Sequence, residues 1–319
     1  MKGLSGPGRV LVMTSFVGYG DLLYLTPFIR FLKNMGQTVD VWSVNPEPFF
    51  NNKDINELYT FDQKRIPNPL DFYKRVFNFC GWGEVFIGNT HPIDAFTMKA
   101  LNIVLRNKEK DLVFDWHEED KAEVREMLFE SGLAPDDECN YVIVSPVVTW
   151  PSRTLPLGFY KELCDLIQEN GDKILLVGKD VTHKGVKTLY PAEEFPDAIN
   201  FTNKLSLAQV GALYSMSKIA ISNESANMLL ACTNDTCWNI FVATLTPPEF
   251  RLPWRGGYQD QRARNYVVGN SDDYYPSTDY TRLSEFNSLE DLPVKYPTAK
   301  SVFAAYRKVL KLFHAEQLS

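Results

Sequence analysis

The apolar positions at the start of the chain form a short continuous run, a break at two glycines, and then a helical repeat. Residues 10–13 are all apolar, which is typical of a buried strand. Gly18 and Gly20 follow, after which leucine and isoleucine recur at helical spacing. Ligands of parallel α/β sheets lie outside the carboxyl ends of the strands. Residues 9–36 therefore predict a strand, a loop and a helix, with the loop of residues 15–21 lining a cleft.

Strand-like and helix-like segments alternate through the rest of the first half of the chain. Short apolar or β-branched runs predict strands, and longer periodic segments predict helices. The last of these helices is followed by Gly132, a residue type common at helix C-termini. The predicted strands are residues 38–44, 56–61, 84–87 and 113–115, and the predicted helices are residues 70–79, 95–105 and 118–129. This alternation is typical of an α/β domain.

A polar segment, residues 134–140, interrupts the alternation, and a new apolar strand starts directly after it. We place a domain boundary there and predict two doubly wound domains, residues 1–136 and residues 137–297. The strands predicted in the second domain are residues 141–145, 173–177, 218–222 and 238–242, and the helices are residues 157–170, 207–216 and 227–232. An amphipathic helix is predicted at residues 298–313. We expect the terminal segment, residues 298–319, to pack back on the first domain.

The composition is that of a globular protein. The 319 residues include 45% hydrophobic and 23% charged residues, and the length favours two domains of about 150 residues each. No apolar run is long enough to cross a bilayer, and the start of the chain lacks the apolar core of a signal peptide. We therefore expect a cytoplasmic protein without a transmembrane segment.

The charge of the chain limits its possible binding partners, and its cysteines limit the possible metal sites and disulfides. Lysine and arginine number 33 and aspartate and glutamate 40, a net charge of −7, so a surface that binds a polyanion would have to be a local patch. The five cysteines lack the spacing of a zinc site, and we expect reduced thiols. They are Cys80, Cys139, Cys164, Cys232 and Cys237.

Four stretches of the sequence resemble glycosyltransferase family 9, the heptosyltransferase-like enzymes with the two-domain GT-B fold. In chain order they match the family's opening glycine, aspartate and proline pattern, its phosphate loop, its leucine-rich helix with the following turn, and its proline-rich segment. The stretches are VGYGDLLYLTPFIRFLK, SPVVTWPSRTLPLGFYKEL, KLSLAQVGALYSMSKIAISNESANMLLA and TPPEFRLPW. The resemblance implies two Rossmann-like doubly wound domains that face a central cleft.

The chain departs from the family pattern at two places. Leu155 stands where the family has tryptophan in the second stretch. Residues 224–229 read ESANML where the family has Asp-Ser/Thr-Gly-Pro-x-His, so glutamate replaces aspartate, and Ala226 and Leu229 replace glycine and histidine. The resemblance places contacts to the nucleotide sugar in this turn, and the identity of the donor therefore stays open.

Glycosyl transfer requires a base that takes a proton from the acceptor hydroxyl. We predict that Asp21 is this base and that Gly18, Tyr19 and Gly20 of the same loop contact the acceptor. An aspartate after Gly20 is also typical of a helix N-cap, and both interpretations stay open. His91, near the end of a predicted strand, is a further acceptor-binding candidate or a loop histidine without a role.

Donor-binding residues are predicted in the segments that follow three strands of the second domain. Arg153 stands before a helix start, and helix N-termini bind phosphate; otherwise it is a solvated surface charge beside an ordinary cap. Lys179 is placed for a base or ribose, or is a surface lysine, and Glu224 is placed for sugar hydroxyls, or belongs to a capping turn. The predicted donor-binding residues are Thr149, Ser152, Arg153, Gly178, Lys179, Asn223, Glu224 and Ser225.

Acidic segments are not interpreted as metal sites. Residues 115–120 combine His117 with four carboxylates at the start of a charged helix, which is typical of a solvated face. Residues 271–280 contain adjacent carboxylates but lack the apolar strand that precedes a metal-binding DxD motif. We therefore predict no metal and no cofactor, with a nucleotide sugar as co-substrate.

A basic and aromatic segment follows the last predicted core strand. Such a patch binds an anionic substrate or only covers a loop, and both interpretations stay open. Its members are Arg251, Trp254, Arg255, Arg262 and Arg264.

These features predict a GT-B glycosyltransferase. The resemblance implies an inverting, metal-independent transfer from ADP-heptose to a carbohydrate acceptor, the inner core of lipopolysaccharide. A phage-type DNA glycosyltransferase that acts on hydroxymethylated pyrimidines stays open as an alternative, although a net charge of −7 opposes DNA as the partner. A catalytically degenerate GT-B binding protein is the other alternative, because the turn of residues 224–229 lacks the family's glycine and histidine.

Overall fold

Two parallel β-sheets, each with helices packed against it, form the core of the chain. The computed structural model describes residues 6–60, 70–81, 90–106, 109–133, 141–146, 148–183, 186–187, 190, 192–234, 236–252, 264–269, 285–286, 288–292 and 294–317. We call the part up to residue 133 the first half and the part from residue 141 the second half.

The first half contains a four-stranded parallel sheet. Its strands are β1 (Gly8–Thr14), β2 (Gln37–Ser43), β3 (Glu57–Thr60) and β4 (Arg75–Asn78), and its helices are α1 (Tyr19–Asn34), α2 (Pro92–Leu101) and α3 (Glu118–Glu130). The strand order is β3-β2-β1-β4. The chain thus adds two strands on one side of β1 and then returns to its other side, which creates a topological switch point between β1 and β4.

The second half contains a six-stranded parallel sheet and a short antiparallel pair, β7 and β8. Its strands are β5 (Tyr141–Ser145), β6 (Lys173–Leu176), β7 (Thr182–His183), β8 (Val186–Lys187), β9 (Ile199–Asn200), β10 (Ile219–Ser222), β11 (Trp238–Val242) and β12 (Asn265–Val268). Its helices are α4 (Leu157–Glu169), α5 (Leu207–Met216), α6 (Ala226–Ala231) and α7 (Ala299–Gln317). The sheet order β12-β11-β10-β5-β6-β9 places a second switch point between β5 and β10.

The predicted opening unit is confirmed. Val10 and Val12 of β1 are fully buried, as are Leu22, Leu25 and Phe28 of α1. The apolar run and the helical repeat therefore bury against each other, and the glycine loop between them emerges at the carboxyl end of β1.

Residues 70–79 do not form the predicted helix. A single 3₁₀ turn, Leu70–Phe72, is followed by β4, which pairs with β1 in parallel. Phe77 packs edge-on against Phe28 of α1 with ring centres 5.1 Å apart, whereas Val76 packs on the opposite face of the sheet. The side of β1 away from β2 has unpaired backbone groups that a further strand can bind. Val76 and Phe77 point to opposite faces of the sheet, as in a strand, so this segment forms β4 and not the helix that its apolar spacing predicted.

Helix ends follow local backbone conformation. The helix predicted at residues 95–105 begins earlier and ends at Leu101, because Asn102 adopts the left-handed conformation with φ of 56°. The predicted C-terminal glycine of α3 is confirmed: Gly132 has φ of 83°, and the following Leu133 N–H donates to the Leu128 carbonyl at 3.0 Å, as in a Schellman motif.

The edge strand predicted at residues 113–115 is absent. The Val113 N–H donates instead to Thr26 Oγ1 of α1 at 2.9 Å, so this donor is not available to a neighbouring strand. The strand predicted at residues 84–87 and the boundary predicted at residues 134–140 lie outside the described residues.

Helix α7 packs on the second half and not on the first, so that prediction is wrong. Its apolar residues Val302, Ala305 and Val309 join a core built from the second sheet and α4, and the Tyr306 hydroxyl donates to Asp172. The periodicity of the sequence predicts that this helix has an apolar face to bury. It does not identify the sheet against which that face packs. Neither α7 nor any other helix in the described ranges is long and apolar enough to span a membrane.

The two halves meet where α5 packs against α3 and the segment before it. A Cβ on Gly211 of α5 would lie 2.6 Å from Phe114 Cε1 and 3.1 Å from Trp116 Cδ1. Glycine is therefore required for this close approach. Beside it, Gln209 Nε2 donates to Glu123 Oε2 of α3 at 2.7 Å.

Candidate active site

A cavity of about 780 Å³ lies between the two halves. Its walls come from segments that follow the carboxyl ends of β1 and β2 in the first half and of β5, β6, β9, β10 and β11 in the second. Both topological switch points open onto it, and such crevices are the usual ligand sites of parallel α/β sheets.

Most of the site residues predicted from the sequence meet in this cavity. They come from four separate loops, yet they share one lining. The predicted residues in the lining are Gly18, Tyr19, Gly20, Asp21, Thr149, Arg153, Gly178, Lys179, Glu224 and Ser225.

Asp21 is the third residue of α1 and not its N-cap. The helix begins at Tyr19 and its N-cap is Gly18, which has no side chain to offer. A Cβ at Gly18 would lie 3.1 Å from Asp21 Oδ2, so glycine makes room for the carboxylate. Asp21 accepts no hydrogen bond from the residues that the structure describes. The N-cap interpretation is therefore wrong, and both carboxylate oxygens can serve a substrate.

The electrostatic environment of Asp21 suits a base. Burial raises the pKa of its carboxyl group above the ordinary value, and the positive charges of Arg251 and Arg153 oppose this shift. A carboxylate with a raised pKa takes a proton more readily near neutral pH. Arg153 and Arg251 line the same cavity, together with Lys179 and three further carboxylates, those of Glu47, Asp180 and Glu224.

Arg153 is held by contacts on several sides. It ends the 3₁₀ turn Pro151–Arg153, and its guanidinium carbon lies 3.9 Å from the centre of the Trp150 ring. Its Nε lies 3.7 Å from Glu224 Oε2, and its carbonyl accepts a 2.7 Å hydrogen bond from Asn223 Nδ2. A cation fixed in this way is suited to a phosphate group.

Glu224 is bound mainly by the protein itself. Its Oε1 accepts hydrogen bonds from the Leu245 N–H at 3.0 Å and the Thr246 N–H at 2.6 Å, and its Oε2 accepts one from the Thr246 hydroxyl at 2.8 Å. These bonds occupy most of its acceptor capacity. The geometry therefore supports an anchor for Arg153 and the loop after β11 more than the predicted contact to a sugar.

Ser225 carries a polar atom that the fold leaves unsatisfied. It is the N-cap residue of α6, and its buried hydroxyl has no hydrogen-bond partner among the described residues. Leu229, in place of the family's histidine, packs beside Gly20, where a Cβ would lie 3.6 Å from Leu229 Cδ1. A ligand that bonds to Ser225 would recover the free energy that an unsatisfied buried hydroxyl costs.

Ser152, Asn223 and His91 are buried and lie outside the cavity lining. His91 is the N-cap of α2. Its Nδ1 accepts from the Ile93 N–H at 3.3 Å, and its Nε2 lies 2.9 Å from the Leu252 carbonyl, which requires the proton on Nε2. Burial lowers the pKa of His91 to about 4. Because both ring nitrogens are occupied, His91 joins α2 to the segment after β11 and does not reach an acceptor.

Sequence reasoning missed Tyr24 and Glu47, two lining residues whose hydrogen bonds join the two halves. Tyr24 stands one turn after Asp21 on α1 and donates its hydroxyl hydrogen to the Arg251 carbonyl. Glu47 follows β2 and accepts hydrogen bonds from the Tyr19 hydroxyl and the Leu207 N–H. Arg251 was one member of the basic segment for which binding of an anionic substrate stayed open, and it is the member that lies in the lining. Tyr24 could have been predicted from its spacing of three residues from Asp21, which places both on one face of the helix. Glu47 could have been predicted from its position after a strand.

Other candidate features lie away from the cavity or outside the described residues. Arg264 of the basic segment pairs with Glu316 of α7 at 3.1 Å and is not in the lining. The remaining members after Arg251, and residues 271–280, lie outside the described residues. Within the described ranges, no group of three or more histidine, cysteine, aspartate or glutamate residues could hold a metal ion.

No family model matches the chain, and no curated protein sequence matches it. A solved glycosyltransferase family 9 protein from Veillonella parvula matches with a TM-score of 0.67 at 14% identity, covering 95% of this chain and 97% of that one. ADP-heptose lipopolysaccharide heptosyltransferase II from E. coli matches with a TM-score of 0.59 at 15% identity, covering 98% and 100%.

A third match is the iron-containing heptosyltransferase TibC of enterotoxigenic E. coli in complex with ADP-D-β-D-heptose. Its TM-score is 0.63 at 15% identity, and the match covers 95% of this chain and 77% of that one. Such low identities establish the fold alone. The two-domain GT-B architecture that the sequence resemblance implied is thereby confirmed.

Proposed function

We propose that this chain is a cytoplasmic glycosyltransferase that moves a sugar from a nucleoside-diphosphate donor to an acceptor hydroxyl. One observation carries the proposal: Asp21, without a hydrogen bond to any described residue, shares a cavity between two parallel sheets with Arg153 and Arg251. A base and two cations in one crevice are what the two ends of a glycosyl transfer require.

Asp21 would act on the acceptor. The acceptor oxygen passes its proton to the Asp21 carboxylate as it forms a bond to the anomeric carbon, and the bond from that carbon to the diphosphate oxygen breaks. A single displacement of this kind inverts the anomeric configuration. The raised pKa of Asp21 favours the proton transfer.

Arg153 and Arg251 would receive the leaving group. The departing nucleoside diphosphate gains negative charge, and preorganised cations stabilise that charge. Trp150 and Glu224 hold the Arg153 guanidinium in place before the donor arrives. We propose that these side chains do the work of a metal ion, so that transfer is metal-independent.

ADP-heptose is the first donor to test, with a lipopolysaccharide-core sugar as acceptor. The support comes from the sequence resemblance and from neighbours of the same fold that are named for heptose transfer. The turn of residues 224–229 differs from the family pattern, because Glu224 is bound to its own loop and Leu229 replaces an imidazole. The donor sugar should therefore be tested against a panel.

The test is a thermal-shift screen with ADP-heptose, UDP-glucose, GDP-mannose and ADP. A selective ligand at a hundredfold excess over its Kd stabilises the folded state by about 2.7 kcal/mol. Arg153→Ala should lose about 1.5–3 kcal/mol of donor binding, because a charge-assisted hydrogen bond is removed. Arg106→Ala is the matched control, since Arg106 is exposed and pairs with Glu109 outside the cavity.

The outcomes separate the alternatives. No stabilisation by any nucleotide contradicts the proposal. Stabilisation without transfer to any sugar indicates the degenerate binding protein, and transfer only to DNA with hydroxymethylated pyrimidines indicates the DNA glycosyltransferase.

A further inference from the structure

Glu47 connects the two walls of the cavity. It lies in the 3₁₀ turn Glu47–Phe49 after β2 and belongs to the lining. Its Oε2 accepts a hydrogen bond from the Tyr19 hydroxyl in the first half. Its Oε1 accepts a 2.9 Å hydrogen bond from the backbone N–H of Leu207 in the second half. One carboxylate therefore bridges residues that are far apart in sequence and face each other across the crevice.

Both ends of this bridge are helix starts. Tyr19 is the first residue of α1 and stands two positions before Asp21. Leu207 is the first residue of α5, where the unsatisfied N–H groups and the helix dipole stabilise a negative charge. The first turn of α1, which carries Asp21, is thus tied to the donor-side half through Glu47.

We propose that Glu47 is a positioning residue for the transfer: it sets the distance between the first turn of α1 and the start of α5, so that Asp21 faces Arg153 and Arg251. The catalytic part of this inference rests on the proposed function, whereas the bridge itself can be measured without turnover. Loss of the bridge should lower kcat, because the base is displaced from the reacting atoms. It should leave the affinity for ADP nearly unchanged, because the contacts of Arg153 to Trp150 and Glu224 lie within the second half.

Leu207 offers a backbone test of the bridge. Proline has no N–H and is favoured at the first position of a helix. The preceding residue, Ser206, has φ of −67° and ψ of 165°, a conformation that a following proline permits. Leu207→Pro therefore removes the hydrogen bond to Glu47 while the helix start is kept. Leu207→Ala is the matched control, since it loses the same apolar side chain and keeps the N–H.

Glu47→Ala removes both hydrogen bonds, and Glu47→Gln restores the capacity to accept from the Leu207 N–H. We expect kcat to fall in the order wild type, Gln, Ala, and Leu207→Pro to be about tenfold slower than Leu207→Ala, as for a lost charge-assisted hydrogen bond. Glu123→Gln changes another contact between the halves, the exposed pair with Gln209, and should leave kcat unchanged.

Amide hydrogen exchange reports the bridge independently of activity. The Leu22 N–H, which donates to the Gly18 carbonyl at 3.4 Å in the first turn of α1, should exchange about tenfold faster in Glu47→Ala than in wild type. Slower turnover with faster exchange and an unchanged ADP affinity supports the inference. Faster exchange with wild-type kcat overturns it, as does unchanged exchange. A wild-type protein that transfers no sugar overturns the proposed function, and the exchange data then still decide whether the bridge exists.

Discussion

Asp21 and the residues around it show how one side chain is prepared for chemistry. Gly18 leaves space for its carboxylate, the third helical position places it near the positive end of α1, and burial raises its pKa. The Asp21 carboxylate nevertheless accepts no hydrogen bond from any described residue. A group that the fold positions but does not use for its own stability is a candidate for catalysis.

Asp21→Asn should abolish most of the turnover and spare the fold. Asparagine has nearly the same volume but takes no proton at neutral pH, so kcat should fall about 10²- to 10⁴-fold. ADP affinity, measured by calorimetry, should stay at the wild-type value. A variant that keeps wild-type turnover would show that Asp21 is not the base, and His91 could not replace it because both its ring nitrogens are occupied.

The pH dependence of stability gives a second measurement on Asp21. Its pKa is raised in the folded state, so the stability it contributes is fully present below the unfolded-state pKa and is lost as pH rises through the folded-state pKa. Asp21→Asn has no carboxyl group to ionise, so its free energy of unfolding lacks this decrease with rising pH. At neutral pH the variant should therefore be at least as stable as wild type in chemical denaturation, and a marked loss of stability would reveal a structural role for the carboxylate.

Arg251→Gln should shift the pH profile of catalysis. The Arg251 charge lowers the pKa of Asp21, so its removal should raise that pKa. The base is active when ionised, and the acidic limb of kcat/KM should consequently move to higher pH. Arg106→Gln is the control, since that arginine is exposed and pairs with Glu109. An unmoved acidic limb would show that Arg251 and Asp21 are not coupled.

At the scale of elements, α5 both packs against the first half and contributes Leu207 and Val210 to the cavity lining. Gly211 lets the helix approach Phe114 and Trp116 more closely than any other residue type would. At the start of the same helix, the Leu207 N–H donates a hydrogen bond to Glu47. The position of this helix therefore affects both the packing of the halves and the bridge across the site.

Gly211→Ala should destabilise the protein despite the better helix propensity of alanine. The added methyl group would lie 2.6 Å from the Phe114 ring, and overpacking typically costs about 1–3 kcal/mol, more than the roughly 1 kcal/mol that alanine gains over glycine in a helix. Gly158→Ala in α4 is the matched control, because no atom lies within 4 Å of its added Cβ. Urea denaturation should show a loss for the first variant and none for the second; equal stabilities would contradict the steric argument.

At the scale of the whole molecule, a chain with a net charge of −7 concentrates two arginines in its central cavity. The overall charge repels polyanions, whereas the local cations attract a small anionic ligand. This distribution suits a nucleoside diphosphate better than duplex DNA.

We therefore expect sugar transfer to survive treatment with EDTA. In the proposed transfer, Arg153 and Arg251 of the cavity lining stabilise the charge of the leaving group without an added ion. The measurement is kcat after dialysis against EDTA, compared with protein dialysed against buffer. Loss of activity that Mn²⁺, Mg²⁺ or iron restores would contradict metal independence.

The sequence determined by itself those features that depend on local pattern. Periodicity located β1, α1 and four second-half strands, β5, β6, β10 and β11, because a buried element must show its period in its own residues. The loops after these strands could be nominated as the site before any contact was known, since parallel sheets bind ligands at one edge. For this reason Asp21, Arg153 and Ser225 could be predicted to share one cavity lining, although they come from three separate segments.

Only the tertiary structure decided which partners these elements and side chains take. Residues 75–78 form a strand because one side of β1 was open to pairing. Helix α7 packs on the second sheet, although its apolar face alone fits either sheet. His91 hydrogen-bonds to the Leu252 carbonyl, and Glu224 accepts hydrogen bonds from Thr246. Their polar groups therefore stabilise the fold. Arg251 reached the cavity through a contact of its carbonyl with Tyr24, 227 residues away. Such long-range contacts depend on how whole elements pack, and no local spacing records them.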